Sequence, residues 1–169
     1  MLHNGFANTN VLFLIYHKMK KNVKYQKVIK VMESTLISEP PLSLQGKMSL
    51  MASILHSEFD HWTFCGFYVM VEPDLLEIGP YQGHVLACSH IKLGKGVCGK
   101  AAREKRTIII DDVLTFPDYI SCDSLTRSEI VVPVYYKDDF VAVLDIDSPY
   151  LSDFDEVDQS FLETAVARM

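Results

Sequence analysis

Residues 128–147 read Ser128-Glu129-Ile130-Val131-Val132-Pro133-Val134-Tyr135-Tyr136-Lys137-Asp138-Asp139-Phe140-Val141-Ala142-Val143-Leu144-Asp145-Ile146-Asp147. Two runs rich in β-branched and aromatic residues, 129–136 and 140–147, flank the polar triplet Lys137-Asp138-Asp139, which is the pattern of an antiparallel hairpin. Side chains repeat every two residues along a strand, so Asp145 and Asp147 share one sheet face. Upstream, residues 64–71, 75–79 and 85–91 read as a meander, broken at Glu72-Pro73-Asp74 and Gln82-Gly83. Gly94-Lys95-Gly96 opens a short helix over 97–105, and 107–110 is a short β-branched strand. Residues 111–125 form a loop carrying Pro117 and Cys122. Downstream, 155–167 is a helix with Asp155, Glu156 and Asp158 in its first turn, where the helix dipole favours negative charge. At the other end, 19–33 and 43–57 read as helices, separated by Ser38-Glu39-Pro40-Pro41, because proline cannot continue a helix. Helix, helix, meander, short helix, hairpin and helix predict an α+β domain, an antiparallel sheet covered by helices.

Composition narrows the options. The chain has 169 residues, 49% of them hydrophobic and 22% charged, which suits one globular domain and excludes disorder as its dominant state. No apolar run approaches the roughly 20 residues that span a bilayer. The longest run near the start, residues 11–16, is short for a signal-peptide core, and no Arg precedes Arg103, unlike an Arg-rich presequence. A cytoplasmic protein is therefore expected. Net charge is −6, so a broad nucleic-acid face is not expected. Residues 1–47 carry seven Lys against Glu33 and Glu39, a balance of +5, and the remainder carries −11. A basic segment ahead of an acidic domain could touch a membrane or an acidic partner, but a solvated amphipathic helix is the plainer reading. Residues 1–18 read as an extension with little to pack, and 19–169 as a single domain.

The chemistry-bearing residues are four cysteines and an acidic group. Without an export signal, Cys65, Cys88, Cys98 and Cys122 suggest buried thiols, a metal site or redox chemistry rather than stable disulfides. No Cys-x-x-Cys pair occurs, so a zinc ribbon is not expected, and Cys88 with His90 is a poor metal signal. Cys88 in an apolar strand and Cys98 at a helix start each read as small buried hydrophobes. Cys122 sits in the polar stretch Ser121-Cys122-Asp123-Ser124, where a thiol has no packing reason to be. Composition alone leaves it either a nucleophile or a bland loop cysteine. Glu129, Asp145 and Asp147 at paired strand ends are either a solvent-facing group or a pocket for a cation such as an amine, since carboxylates are costly to bury without one.

Taken in order, Gly79-Pro80-Tyr81-Gln82-Gly83, Cys88, Gly94-Lys95-Gly96-Val97-Cys98-Gly99, Ile120-Ser121-Cys122-Asp123, Ser128-Glu129-Ile130-Val131-Val132-Pro133 and Leu144-Asp145-Ile146-Asp147-Ser148 follow a family spacing. The chain resembles the free methionine-(R)-sulfoxide reductases, single-domain GAF proteins, over about residues 64–165, and 19–63 is compatible with that family's leading helices. The resemblance implies the GAF fold, a central antiparallel sheet of about six strands with helices on both faces. It implies reduction of free L-methionine (R)-sulfoxide with electrons from thioredoxin, no cofactor or metal, and a homodimer. By position, Cys122 matches the nucleophile, Cys88 the resolving cysteine and Cys98 an auxiliary one. Glu129, Asp145 and Asp147 match the acids that hold the substrate amine and assist the sulfoxide oxygen, and Tyr68 matches a pocket aromatic. One departure stands out: the family reads Trp, one residue, then Gly-Phe-Tyr, whereas here Phe64 occupies the Trp position and Trp62 lies two residues earlier. Alternation would put Trp62 and Phe64 on one face, so both are expected near the site. Cys65 has no functional counterpart and reads as a structural strand residue. The competing expectation is a non-catalytic, ligand-sensing GAF module, which would need no pair of thiols.

Overall fold

A computed structural model describes residues 6–37 and 39–169. Helix α1 (Phe6–Thr35) leads into α2 (Leu44–Glu58), then strands β1 (Phe64–Glu72), β2 (Leu75–Gly83) and β3 (His90–Lys92). Helix α3 (Gly96–Glu104), β4 (Ile108–Ile110), β5 (Ser128–Tyr136), β6 (Asp139–Ser148) and α4 (Glu156–Val166) complete the chain. One antiparallel sheet runs in the order β3-β2-β1-β6-β5-β4. The predicted α+β architecture is thus the observed one. No described helix is long and apolar enough to cross a membrane.

Alternation along the central strands divides the interior in two. Cys65 and Phe67 of β1, Leu144 and Ile146 of β6, and Ile130 and Val132 of β5 face α1, α2 and α4 and pack with Met32, Met51, Leu55 and Leu162. Phe64 and Tyr68, Val143 and Val131 point the other way and pack beneath α3 with Val97, Ala101 and Ala102. The larger core anchors the sheet; the smaller one carries the acidic strand ends.

Several boundaries differ from the sequence expectations, each for a physical reason. Helix α1 begins at Phe6 rather than at 19, and residues 1–5 lie outside the described residues. Strand β2 runs past Pro80 to Gly83, because a register shift against β1 between Gly66 and Tyr68 absorbs the proline as a bulge does. In place of the expected strand 85–91 the structure has β3 at 90–92, with Ser89 O still accepting from Ile78 N, since 85–88 leaves the ladder and Cys88 is bonded to the 116–127 loop. The hairpin turn is tight: Lys137 and Asp138 both take positive φ (53° and 70°), as a two-residue type I′ turn demands, and Asp139 already pairs with Tyr136.

The helical layer is fastened at one buried ionic point. Asp155 caps α4 by accepting from Val157 N at 2.7 Å, and Asp158 returns the bond by accepting from Asp155 N at 2.8 Å, a capping box. Asp158 also accepts from Tyr25 Oη at 2.8 Å and from Lys21 Nζ at 2.5 Å, which ties α1 to α4. Removing the cation would leave a carboxylate of 1% exposure without its charge partner. Lys21→Met is expected to lower folding stability by about 3 kcal/mol, read from urea denaturation. Glu33→Gln, which breaks the exposed pair with Arg168, is expected to change it by less than about 1 kcal/mol. Equal effects would show that Lys21 is not the fastening.

Candidate active site

Sheet register assembles the acidic group. Phe64 on β1 stands opposite Asp147 on β6, which stands opposite Glu129 on β5. Two residues inward, Gly66 stands opposite Asp145, which stands opposite Val131. Three carboxyls from two neighbouring strands therefore emerge on the face covered by α3. A Cβ on Gly66 would come within 2.2 Å of Tyr81 Cβ, so only glycine lets β2 carry Tyr81 onto this face, where its ring stacks on Phe64 at 5.3 Å. Gly96, at φ 59°, turns the chain into α3 against Ile120 and brings Cys98 over the carboxyls. Cys98 Sγ donates a long hydrogen bond to Glu129 Oε1 at 3.8 Å.

These elements line a narrow cleft on the α3 face of the sheet. Phe64 and Tyr68 form its aromatic wall, and Cys98, Glu129, Asp145 and Asp147 its acidic floor. Cys122, Tyr119 and Asp123 line it from the 116–127 loop. Cys122 is disulfide-bonded to Cys88 with Cα atoms 5.3 Å apart, an ordinary spacing for that bond. The bond joins the 84–89 segment to the loop at the cleft, while Cys65 and Cys98 remain free and buried.

The acids hold their protons far above the ordinary carboxylate range. Burial is the first cause for Glu129, followed by the charges of Asp145 and Asp147. Burial lifts Asp145 to about 7, against the lowering influence of the Cys98 thiol and Glu129. Asp147, nearer the mouth and partly exposed, is pushed the same way by desolvation and by Asp145 and Asp123. Burial first, and then the neighbouring carboxylates, raise the Cys98 thiol and the Tyr68 and Tyr119 hydroxyls, so all three stay neutral donors. Asp145 Oδ1 and Asp123 Oδ2 are buried without a hydrogen-bond partner among the described residues. Clustered carboxyls with unpaired oxygens at a cleft suit a small cation with several donors, such as a primary ammonium.

Of the residues expected here from sequence, Cys122, Cys98, Glu129, Asp145, Asp147, Tyr68 and Phe64 line the cleft, and Cys88 is bonded to its wall. Trp62 is not brought in. It precedes β1 in a turn, with its N–H donating to Phe59 O at 3.1 Å, so strand alternation does not extend back to it. Its ring stacks on Phe59 at 4.2 Å in the core beneath the helices. Tyr119 and Asp123 escaped sequence reading because their loop has no periodicity; closeness to Cys122 was the only signal.

The shifted carboxyls link stability to pH. An unfolded aspartate releases its proton near 3.9, whereas folded Asp145 keeps it to about 7. The folded state binds the extra proton between those values, so this group makes stability fall as pH rises from about 4 to 7. Asp145→Asn is expected to flatten that decline, measured as urea midpoints across the range. An unchanged slope would mean that Asp145 is ionised throughout.

A family model described as a GAF domain matches residues 42–169. The free methionine-R-sulfoxide reductase of Saccharomyces cerevisiae is 39% identical over 146 residues, 79% of this chain and 80% of its own. GAF domain-containing protein A of Dictyostelium discoideum is 35% identical over 145 residues, 86% of this chain and 89% of its own. The crystal structure of the free methionine-R-sulfoxide reductase of Neisseria meningitidis in complex with its substrate superposes with a TM-score of 0.78 at 37% identity, covering 85% of this chain and 84% of that one. Fold, cleft and these relatives agree, and the chain belongs to the free methionine-R-sulfoxide reductase family of GAF-domain proteins.

Proposed function

We propose that the protein reduces free L-methionine (R)-sulfoxide to L-methionine, with thioredoxin in the cytoplasm as electron donor and a homodimer as the working form. The observation that carries this reading is the Cys88–Cys122 bond at the mouth of an acid-lined, aromatic-walled cleft. A ligand-sensing module would have no use for a thiol pair that closes over its own pocket.

The chemistry follows from the groups present. In the reduced protein, Cys122 attacks the sulfoxide sulfur. Glu129, kept protonated by burial and the neighbouring carboxylates, donates to the sulfoxide oxygen as it takes up negative charge. Methionine leaves, and Cys122 retains the oxygen as a sulfenic acid. The Cys88 thiol displaces that oxygen as water and forms the disulfide seen here. A dithiol donor then reopens it by exchange, supplying two electrons and two protons. Asp147 and Asp145 hold the substrate ammonium, and Phe64 and Tyr68 pack on its S-methyl end. Cys98 stays a protonated donor to the acids, an auxiliary to the cycle.

Cys122→Ser is expected to abolish turnover with either dithiothreitol or thioredoxin. Cys88→Ser should accumulate a dimedone-reactive sulfenic acid on Cys122 and recycle slowly with thioredoxin. A Cys122→Ser variant keeping more than a few per cent of the rate would reassign the nucleophile. Blocking the amine supplies a separate check. N-acetylated, C-amidated methionine (R)-sulfoxide should lose at least about 100-fold in kcat/KM against the free amino acid, because an amide leaves the buried carboxyls unmatched. Comparable values would show that the acidic floor does not read the ammonium.

A further inference from the structure

Three potential ligand atoms meet above the cleft floor. Cys98 Sγ and one carboxylate oxygen each from Glu129 and Asp145 lie within 4.8 Å of one another. The residues are 3%, 5% and 6% exposed. They come from α3, β5 and β6, three elements locked together by the sheet ladder and the packing of α3, so the group is held in place before any ligand arrives. Besides this clustering, Asp145 lines the cleft, and its Oδ1 is buried with no hydrogen-bond partner among the described residues. Something with positive charge fits that oxygen.

The donor set discriminates among cations. A thiolate with two carboxylates suits a soft or borderline divalent ion, whereas Mg²⁺ and Ca²⁺ want six or more oxygens. Three protein ligands with a fourth position open to the cleft is an established geometry for such an ion. Burial leaves the site short of water, which strengthens the attraction between the three ligands, once they have given up their protons, and a doubly charged cation. In the disulfide-bonded protein Cys98 is free, so the thiol is available without reduction.

We propose that Cys98, Glu129 and Asp145 form a binding site for one thiophilic divalent cation, Zn²⁺ or Cd²⁺, which enters through the cleft and displaces to solvent the Cys98 thiol proton together with the protons the two carboxyls carry. This reading needs no turnover and stands apart from the proposed reaction. The bound ion occupies the carboxylates that a substrate ammonium would use, so metal and amino acid exclude each other.

The test uses the disulfide-bonded full chain and Cd²⁺. Titration is expected to give a saturable sulfur-to-cadmium charge-transfer band in the ultraviolet, at one ion per chain, with Zn²⁺ competing for it. Cys98→Ser should remove the band, and Cys65→Ala should keep it, since Cys65 faces the opposite core. Glu129→Gln and Asp145→Asn retain the thiol and should each weaken binding by at least about tenfold, the loss that removing even an outer partner of a metal ligand brings. Circular dichroism checks that each variant is folded. No band in the wild-type protein, a band that survives Cys98→Ser, or unchanged affinity in both carboxylate variants would overturn the proposal.

Discussion

Strand β6 is hydrogen-bonded along both edges, to β1 on one side and β5 on the other, and its register with each is continuous from Ala142 to Asp147. Side chains alternate without exception over that stretch. Leu144 and Ile146 enter the helical core, while Val143, Asp145 and Asp147 face α3. A slip of one residue would exchange the two sets and drive carboxylates under the helices. The cleft therefore depends on the same register that the apolar core enforces. The core residues on one face decide where the acids go on the other.

That arrangement sets stability against chemistry. Burying three carboxyls side by side disfavours their charged forms, and the domain tolerates this because the opposite face is densely packed and fastened by Lys21, Tyr25 and Asp158. The two halves of the molecule have divided roles. The helical face supplies the binding energy of the fold, and the α3 face holds groups in protonation states that water would not permit. The Cys88–Cys122 bond adds a covalent ring spanning β3, α3 and β4, so two segments bordering the cleft, 84–89 and the 116–127 loop, are tied to each other.

How much of this could be read beforehand follows from which structures have a period. The hairpin was legible because 129–136 and 140–147 alternate and flank a polar turn, and alternation alone put Asp145 beside Asp147. The capped start of α4 was legible from its acidic first turn. Period two misled where the chain was not a strand: Trp62 sits in the turn before β1, and within 85–88 Val85 and Ala87 line the cleft without pairing while Leu86 is exposed. Tyr119 and Asp123 could not be found, since a loop held by a disulfide and by tertiary contacts carries no repeating pattern. The roles of the cysteines came from family resemblance, because thiols 34 residues apart in sequence carry no local sign that they meet.

The prolines within the sheet have a consequence for self-association. Each outermost strand is only three residues long, so β3 with the adjoining Ser89 covers β2 at 75–78 and β4 covers β5 at 129–131. The uncovered lengths of β2 and β5 are where another polypeptide could add as a strand. Pro80 and Pro133 fall within those lengths, and neither can supply an amide donor to an incoming ladder. Growth of the sheet by edge pairing is thereby interrupted on both sides.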